Sequence, residues 1–136
     1  DYDILLTSYG ILRNERELLA QVPFELAIYD EIQIAKNQSS RIYAALTQIN
    51  AQMRIGLTGT PIENYLRELK SLFDLTLPSY LPGEGEFRDY FIRPIEKGDD
   101  EQRKKLLTRL ISPFILRRKK RDVLTELPEK VEEISY

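Results

Sequence analysis

Cysteine and histidine are both absent from the sequence. Without cysteine, disulfide bonds and thiolate chemistry are excluded, which suits an intracellular protein better than a secreted one. Without histidine, imidazole is excluded as a general base or zinc ligand, so acid–base and metal chemistry would depend on carboxylates. No stretch approaches the roughly 20 consecutive apolar residues that a membrane-spanning helix needs. We therefore expect no membrane partner.

The net charge is also small, at −2 over 136 residues, and it provides no overall attraction to nucleic acid or membrane. Any basic surface must therefore be local. Hydrophobic residues make up 42% and charged residues 31% of the chain, the balance of an ordinary globular protein with one modest core. The first residues include neither an initiator methionine nor a basic leader, so we expect a piece of a longer protein.

Short apolar runs alternate with helical patterns over the first half of the chain. Strands are predicted at residues 4–7, 24–29 and 53–57. Helices are predicted at residues 11–20, after a cap at Ser39 or Ser40, and from the sequence TPIE onward. Because the strands contain few polar breaks, the pattern predicts an α/β fold with a mostly parallel sheet and helices.

The chain changes character after Pro78. A loop-like stretch leads to a short helix predicted at residues 87–92, and Asp99 is predicted to cap a longer helix. The apolar stripe of that helix consists of Leu106, Leu107, Leu110 and Ile111. We therefore expect a helical extension over residues 79–128, and the alternating pattern near the end predicts a last strand within residues 129–136.

The segment FELAIYDEIQIAKN ends an apolar strand in two adjacent acids, Asp30 and Glu31. Ligands of parallel α/β sheets bind beyond the carboxyl ends of the strands. An aspartate there can hold phosphate-bound Mg²⁺, and a neighbouring carboxylate can orient or deprotonate a water molecule. A strand that simply reaches solvent explains the same pattern, and for an isolated match it does so roughly three times in four.

A second segment, RIGLTGTPIEN, changes that balance. Thr60, Pro61 and Glu63 fit a helix N-cap, first helical position and capping box, which is a structural explanation. The cap leaves Thr58 and Gly59 unexplained. A hydroxyl and a permissive glycine at the end of a neighbouring strand are expected to face the same crevice as the two acids.

The motifs together resemble a known family. DEIQ, a DEAQ-like box, and LTGTPIEN are similar to motifs II and III of superfamily-two helicase-like ATPases. DYDILLTSYGIL and PFILRRKKRDVLTELPEK resemble blocks of the Swi/Snf branch of chromatin-remodelling translocases. The resemblance implies a partial RecA-like lobe of the P-loop NTPase fold. Residues 1–78 would be the second half of the first lobe, 79–128 a helical protrusion and 129–136 a strand or linker toward lobe two.

The resemblance also implies roles for individual residues. Asp30 would hold Mg²⁺, Glu31 would position or activate the attacking water, and Gln33 would link the γ-phosphate to motif III. Thr58, Gly59 and Thr60 would couple the nucleotide state to the DNA-binding surface. Ile32 departs from the family pattern, which more often has a small residue at that position.

Contacts with DNA have candidates of lower specificity. Arg117, Arg118, Lys119 and Lys120 could neutralise DNA phosphates. The same run could instead form a solvated face paired with nearby acids, or pack against the second lobe. Thr7 and Ser8 correspond to a loop that the family places near the DNA backbone, although a short polar turn explains them equally well.

The resemblance implies a DNA-stimulated ATPase that translocates on duplex DNA, using ATP and Mg²⁺. Its partners would be double-stranded DNA and the second RecA-like lobe of the same chain, in a cytoplasmic (nucleoid-associated) or nuclear protein. The chain has no Gly-Lys dipeptide, so it lacks the phosphate-cradling loop, and we expect it to be inactive alone. Alternatives are another superfamily-two helicase, which PFILRRKKRDV argues against, and a non-catalytic DNA- or protein-binding scaffold.

Overall fold

The computed structural model describes residues 3–59 and 66–118. The chain first forms two short helices, α1 (Tyr9–Asn14) and α2 (Arg16–Ala20). The helix predicted for residues 11–20 is therefore present, but it starts earlier and is interrupted at Glu15, where the backbone leaves helical geometry.

The strand predicted at residues 4–7 is wrong. This segment has neither helix nor strand structure, and it pairs with neither strand of the described sheet. Ile4 and Leu6 are 85% and 94% exposed. An apolar run becomes a strand only when it shares a ladder of hydrogen bonds with a neighbouring strand, and among the described residues this run shares none.

The sheet of the described residues consists of two parallel strands, β1 (Phe24–Tyr29) and β2 (Ala51–Gly56). Phe24 pairs with Ala51 and Tyr29 with Gly56, so both strands end at the same edge. The predicted parallel arrangement is confirmed. The second strand begins two residues earlier than predicted because Ala51 is already paired with the start of β1.

A crossover connection that contains helical segments joins the two strands, as parallel pairing requires. A 3₁₀ helix (Ile32–Ala35) follows β1, and α3 (Arg41–Thr47) precedes β2. The hydroxyl of Ser40 accepts a hydrogen bond from the amide of Tyr43 at 3.1 Å, so Ser40 is the cap that α3 uses.

Helix α4 (Leu66–Thr76) follows β2 and contributes to two hydrophobic cores. Leu72 and Leu75 face the first core, and Leu69 and Phe73 face the second. The other buried members of the first core come from α1, α2, the sheet and the crossover: Leu12, Leu19, Tyr29, Ile32, Ala35, Ala45, Leu46, Ile49 and Ala51.

The helical extension contains α5 (Glu84–Phe87), a π-helical turn (Arg88–Ile92), α6 (Arg93–Gly98), α7 (Glu101–Ile111) and a 3₁₀ turn (Ser112–Phe114). Its buried side chains complete the second core and are Leu81, Phe87, Phe91 and Leu107. The helical character predicted after Pro78 is therefore confirmed for the described part. Residues 119–136, which include the predicted last strand, lie outside the described residues.

The predicted cap of α7 is wrong by one residue. Asp99 ends α6 in the left-handed conformation, with φ 49°, whereas an N-cap residue needs an extended backbone. Asp100 has that backbone, and its carboxylate accepts a hydrogen bond from the amide of Arg103 at 3.0 Å. Of the predicted stripe, Leu107 is buried while Leu106 remains 40% exposed.

Within residues 3–59 and 66–118, no helix combines the length and the apolar character needed to cross a membrane.

Candidate active site

The two sequence motifs meet at the carboxyl edge of the sheet. The amide of Leu57 donates to the carbonyl of Tyr29 at 2.8 Å, and the amide of Ile32 donates to the carbonyl of Leu57 at 2.9 Å. These bonds continue the pairing of β1 and β2 past the last strand residues. The DEIQ segment therefore runs beside the segment that leads into Thr58 and Gly59.

Glu31 turns the chain out of the sheet. Its backbone is left-handed, with φ 50° and ψ 46°, a conformation that few residues other than glycine adopt. The carboxylate of Asp30 supports the turn by accepting a hydrogen bond from the amide of Glu31 at 3.0 Å. Asp30 and Glu31 are both exposed, so their carboxylates are accessible to a ligand beyond the strand end.

Gln33 holds the side chain of Glu31. Its side-chain amide nitrogen donates to the carboxylate of Glu31, the residue that precedes the 3₁₀ helix. The side-chain carbonyl oxygen of Gln33 is buried and has no hydrogen-bond partner among the described residues. An acceptor left in this state carries a desolvation cost of about 1–3 kcal/mol.

Tyr9 joins the site from the other end of the sequence. Its hydroxyl donates to the backbone carbonyl of Asp30 at 2.6 Å. Burial of the phenol, and then the negative charges of Asp30 and Glu31, raise the pKa of Tyr9 to about 12. The hydroxyl is therefore protonated near neutral pH and available as a donor. Tyr9 is not predictable from the sequence, because no local pattern connects it with a strand end 21 residues away.

The bulky Ile32 fits because of a glycine on the neighbouring strand. Ile32 is 2% exposed, and a Cβ atom at Gly56 would lie 2.7 Å from its Cδ1 atom and 3.1 Å from its Cγ2 atom. The missing side chain of Gly56 thus makes the space that Ile32 occupies. Gly56 therefore accommodates an isoleucine at a position where the family more often has a small residue.

The carboxylates suit a metal ion that arrives with its nucleotide. Within residues 3–59 and 66–118, no group of three or more histidine, cysteine, aspartate or glutamate side chains could form a cation site. Mg²⁺ at nucleotide sites is usually held by one or two carboxylates together with phosphates and water. The exposed Asp30 fits that second kind of site.

The candidate DNA contacts are only partly described. Thr7 and Ser8 are exposed, and the Ser8 hydroxyl caps α1 by accepting from the amide of Ile11 at 3.3 Å. Arg117 and Arg118 are exposed beyond the last 3₁₀ turn. The remaining site residues of the sequence analysis, which are Thr60, Lys119 and Lys120, lie outside the described residues.

Comparison with known proteins accounts for the two motifs together. The model of the SNF2-related domain matches residues 1–136, which is the whole chain. The chain belongs to the SNF2-related domain family. The resemblance to Swi/Snf ATPases that the motifs indicated is thereby confirmed.

Two curated relatives of this SNF2-related chain come from bacteria. The Zorya protein ZorD of Escherichia coli O139:H28 is 40% identical over 131 residues, and the putative ATP-dependent helicase/translocase YwqA of Bacillus subtilis is 42% identical over 136 residues. The alignments cover 95% and 98% of this chain. The chain spans 12% and 15% of the lengths of these relatives.

A solved structure shares the fold. The SWI2/SNF2 ATPase core of Sulfolobus solfataricus in complex with double-stranded DNA superimposes with a TM-score of 0.78 and 41% sequence identity. The match covers 87% of this chain and 25% of that one. The predicted fold class, an α/β unit corresponding to part of a RecA-like lobe with a helical extension, is confirmed.

Proposed function

We propose that this chain is the part of an SNF2-type ATPase that carries the Mg²⁺-binding and water-positioning carboxylates, and that the full-length protein couples ATP hydrolysis to translocation on duplex DNA. The observation that carries the proposal is the pairing of Leu57 with Tyr29 and Ile32, which brings motif II beside motif III. Family membership and the DNA complex of the Sulfolobus solfataricus core support it.

Three residues have distinct parts in this proposal. Asp30 would hold Mg²⁺, and the bound ion would neutralise charge on the phosphates of ATP. Glu31 orients or deprotonates the attacking water. Gln33 fixes the Glu31 carboxylate through its side-chain amide, and we assign to its buried carbonyl oxygen the link to motif III. In this arrangement the protein contributes positioning and electrostatics rather than covalent chemistry.

The remaining parts of the reaction would come from elsewhere in the full-length protein. The chain contains no Gly-Lys dipeptide, so a phosphate-cradling loop must be supplied by other residues. We assign the arginine finger to a second RecA-like lobe, and such a group contributes about 10³- to 10⁵-fold to turnover in related systems. The 136-residue chain alone is accordingly expected to release no phosphate from ATP above background.

The DNA-binding surface is proposed to include Thr7, Ser8 and the basic run that starts at Arg117. Hydroxyl and cationic side chains contact the phosphate backbone without reading base sequence, as a translocating motor requires. With ATP and duplex DNA as ligands, the full-length protein is expected to act in the cytoplasm with the nucleoid, or in a nucleus.

The test is turnover by the full-length protein with Glu31→Gln. This variant keeps the size of the side chain and removes the anion, so ATP should still bind while DNA-stimulated turnover falls by roughly 10²-fold or more. Glu25→Gln is the matched control, because Glu25 is an exposed acid near the amino end of β1, whereas the candidate site lies at the carboxyl end. Turnover should be unchanged in this control.

Two outcomes would contradict the proposal. Near wild-type turnover in Glu31→Gln would remove Glu31 from the chemistry. Binding of duplex DNA with no ATP hydrolysis by the wild-type full-length protein would favour the non-catalytic scaffold.

A further inference from the structure

One side-chain hydrogen bond connects the start of α1 with the end of β1. The Tyr9 hydroxyl donates to the carbonyl of Asp30, and Tyr9 follows directly after Thr7 and Ser8. The ring of Tyr9 is half-buried and packs against the first core. Its position is therefore set by packing, and its hydroxyl reaches the backbone of the residue proposed to hold Mg²⁺.

The bond to Asp30 differs from those of its neighbours. The carbonyl of Tyr29 accepts from the amide of Leu57, and the carbonyl of Glu31 accepts from the amide of Ile34 at 3.1 Å. These two carbonyls are thus held by the backbone of the sheet edge and the 3₁₀ helix. The carbonyl between them, that of Asp30, is held by a side chain from a different helix.

The peptide group that Tyr9 holds lies between the two acidic residues. It joins Asp30 to Glu31, immediately before the left-handed turn of Glu31. Its amide, that of Glu31, donates to the Asp30 carboxylate, so a rotation of this peptide would alter both that hydrogen bond and the backbone conformation of Glu31. A shift of α1 along its axis would be transmitted to this peptide through the Tyr9 hydroxyl.

We propose that Tyr9 is a positioning residue that couples the Thr7–Ser8 segment to Asp30 and Glu31, so that duplex DNA at this segment stimulates ATP hydrolysis. The inference rests on the proposed function, since it deepens the link between the DNA-contacting segment and the hydrolytic carboxylates. Tyr9 touches neither nucleotide nor DNA in this scheme.

The test compares two tyrosine variants of the full-length protein. Tyr9→Phe removes the hydroxyl and leaves the ring to pack. Tyr80→Phe is the matched control, because the Tyr80 hydroxyl also donates to a backbone carbonyl, that of Leu110, at 2.9 Å in the helical extension. Turnover is measured with and without duplex DNA, together with the KM for ATP and the affinity for DNA.

DNA-stimulated kcat is expected to fall roughly tenfold in Tyr9→Phe, the scale of one hydrogen bond. The KM for ATP and the affinity for DNA should be unchanged, because the hydroxyl contacts neither ligand in this scheme. Tyr80→Phe should match the wild type in every measurement. The proposal would be overturned if DNA stimulated turnover equally in Tyr9→Phe and Tyr80→Phe, whether at the wild-type level or at a reduced level.

Hydrogen exchange without nucleotide is a second readout that does not depend on activity. The amides of Ile32 and Ile34 report on the left-handed turn at Glu31, since both are hydrogen-bonded next to it. Duplex DNA should change their exchange in the wild type and in Tyr80→Phe, but not in Tyr9→Phe.

The two proposals fail in different ways. If the wild-type protein binds DNA but hydrolyses no ATP, the proposed function is wrong. Hydrogen exchange alone then tests whether Tyr9 couples DNA binding to the Glu31 backbone. If DNA binding leaves these amides unchanged in the wild type, or changes them equally in Tyr9→Phe, the coupling is wrong.

Discussion

Single residues set the geometry of the candidate site at two places. At Glu31 a left-handed backbone directs the chain out of the sheet, a conformation that costs of order 1–3 kcal/mol and is often found at functional sites. At Gly56 the lack of a side chain admits Ile32 into the core. At both positions the geometry is set by backbone conformation and packing, not by the carboxylate groups.

Replacing Gly56 with alanine is expected to destabilise the fold by about 1–3 kcal/mol, the usual cost of overpacking. The new methyl group would meet two atoms of Ile32 and the Thr76 methyl group at 3.3 Å. Urea denaturation of the chain, at protein concentrations below any association, measures the effect. Gly85→Ala is the control, because outside its chain neighbours and its own helix backbone no atom lies within 4 Å of the added methyl group.

A double-mutant cycle identifies the cause of the Gly56→Ala loss. Ile32→Val alone should cost about 0.5–1.5 kcal/mol, because it removes a buried methyl group. Combined with Gly56→Ala, it should cost less than the sum of the two single changes, because the Cδ1 contact is relieved. Strict additivity would show that Ile32 does not determine the need for glycine.

At the scale of elements, α4 joins the α/β part to the helical extension. Lys70 lies in this helix and is 3% exposed, an unusual burial for a lysine. Its ammonium group pairs with Asp74 one turn later and lies 5.9 Å from the centre of the Phe87 ring. The charge is thus stabilised by one carboxylate and one aromatic face between the two cores.

Asp74→Asn is expected to destabilise the protein by about 2–4 kcal/mol, since it leaves the Lys70 charge buried without an anionic partner. Lys70→Met should cost less, because methionine fills a similar space without a charge and can contact Phe87. Thermal and urea unfolding measure both variants. Asp89→Asn, which alters an exposed pair with Arg93, should leave the unfolding midpoint unchanged.

The contrary result is also informative. If Asp74→Asn and Asp89→Asn have equal effects, Lys70 is hydrated in solution and α4 does not depend on this pair.

At the scale of the whole molecule, the two-stranded sheet has an uncovered apolar face. Leu26, Ile28 and Met53 are 44%, 58% and 58% exposed, and Leu26 pairs directly with Met53 across the strands. Among the described residues, neither strand has a second neighbour. Open edges and large apolar patches favour association with another chain.

The isolated 136-residue chain is therefore expected to self-associate as its concentration rises. A net charge of −2 offers little repulsion against association. Light scattering over a concentration series measures this directly. Met53→Lys should shift association to higher concentration, whereas Gln52→Lys, an exposed change beside it on the same strand, should have a smaller effect. A strictly monomeric chain with a cooperative thermal transition would show that the face is covered in solution.

Features that depend on neighbours within a few positions could be predicted from the amino-acid sequence alone. The bounds of β1, the serine cap of α3 and the helical nature of the extension follow from apolar period, capping side chains and helix breakers. The motifs DEIQ and LTGTPIEN, which indicated the family, are local in the same sense. The predicted cap at Asp99 failed because two adjacent aspartates offer equivalent side chains, and only the backbone at Gly98–Asp100 distinguishes them.

The tertiary structure decided the contacts between residues that are distant in the chain. The bond from Tyr9 to Asp30, the space that Gly56 leaves for Ile32 and the exposure of residues 4–7 all depend on how β1, β2 and α1 pack. Such contacts produce no periodic pattern in the sequence, because each joins a single residue to a single distant partner. The two residues meet only after the strands have paired. The acids at the strand end were therefore visible in the sequence, whereas the groups that hold them became visible only after folding.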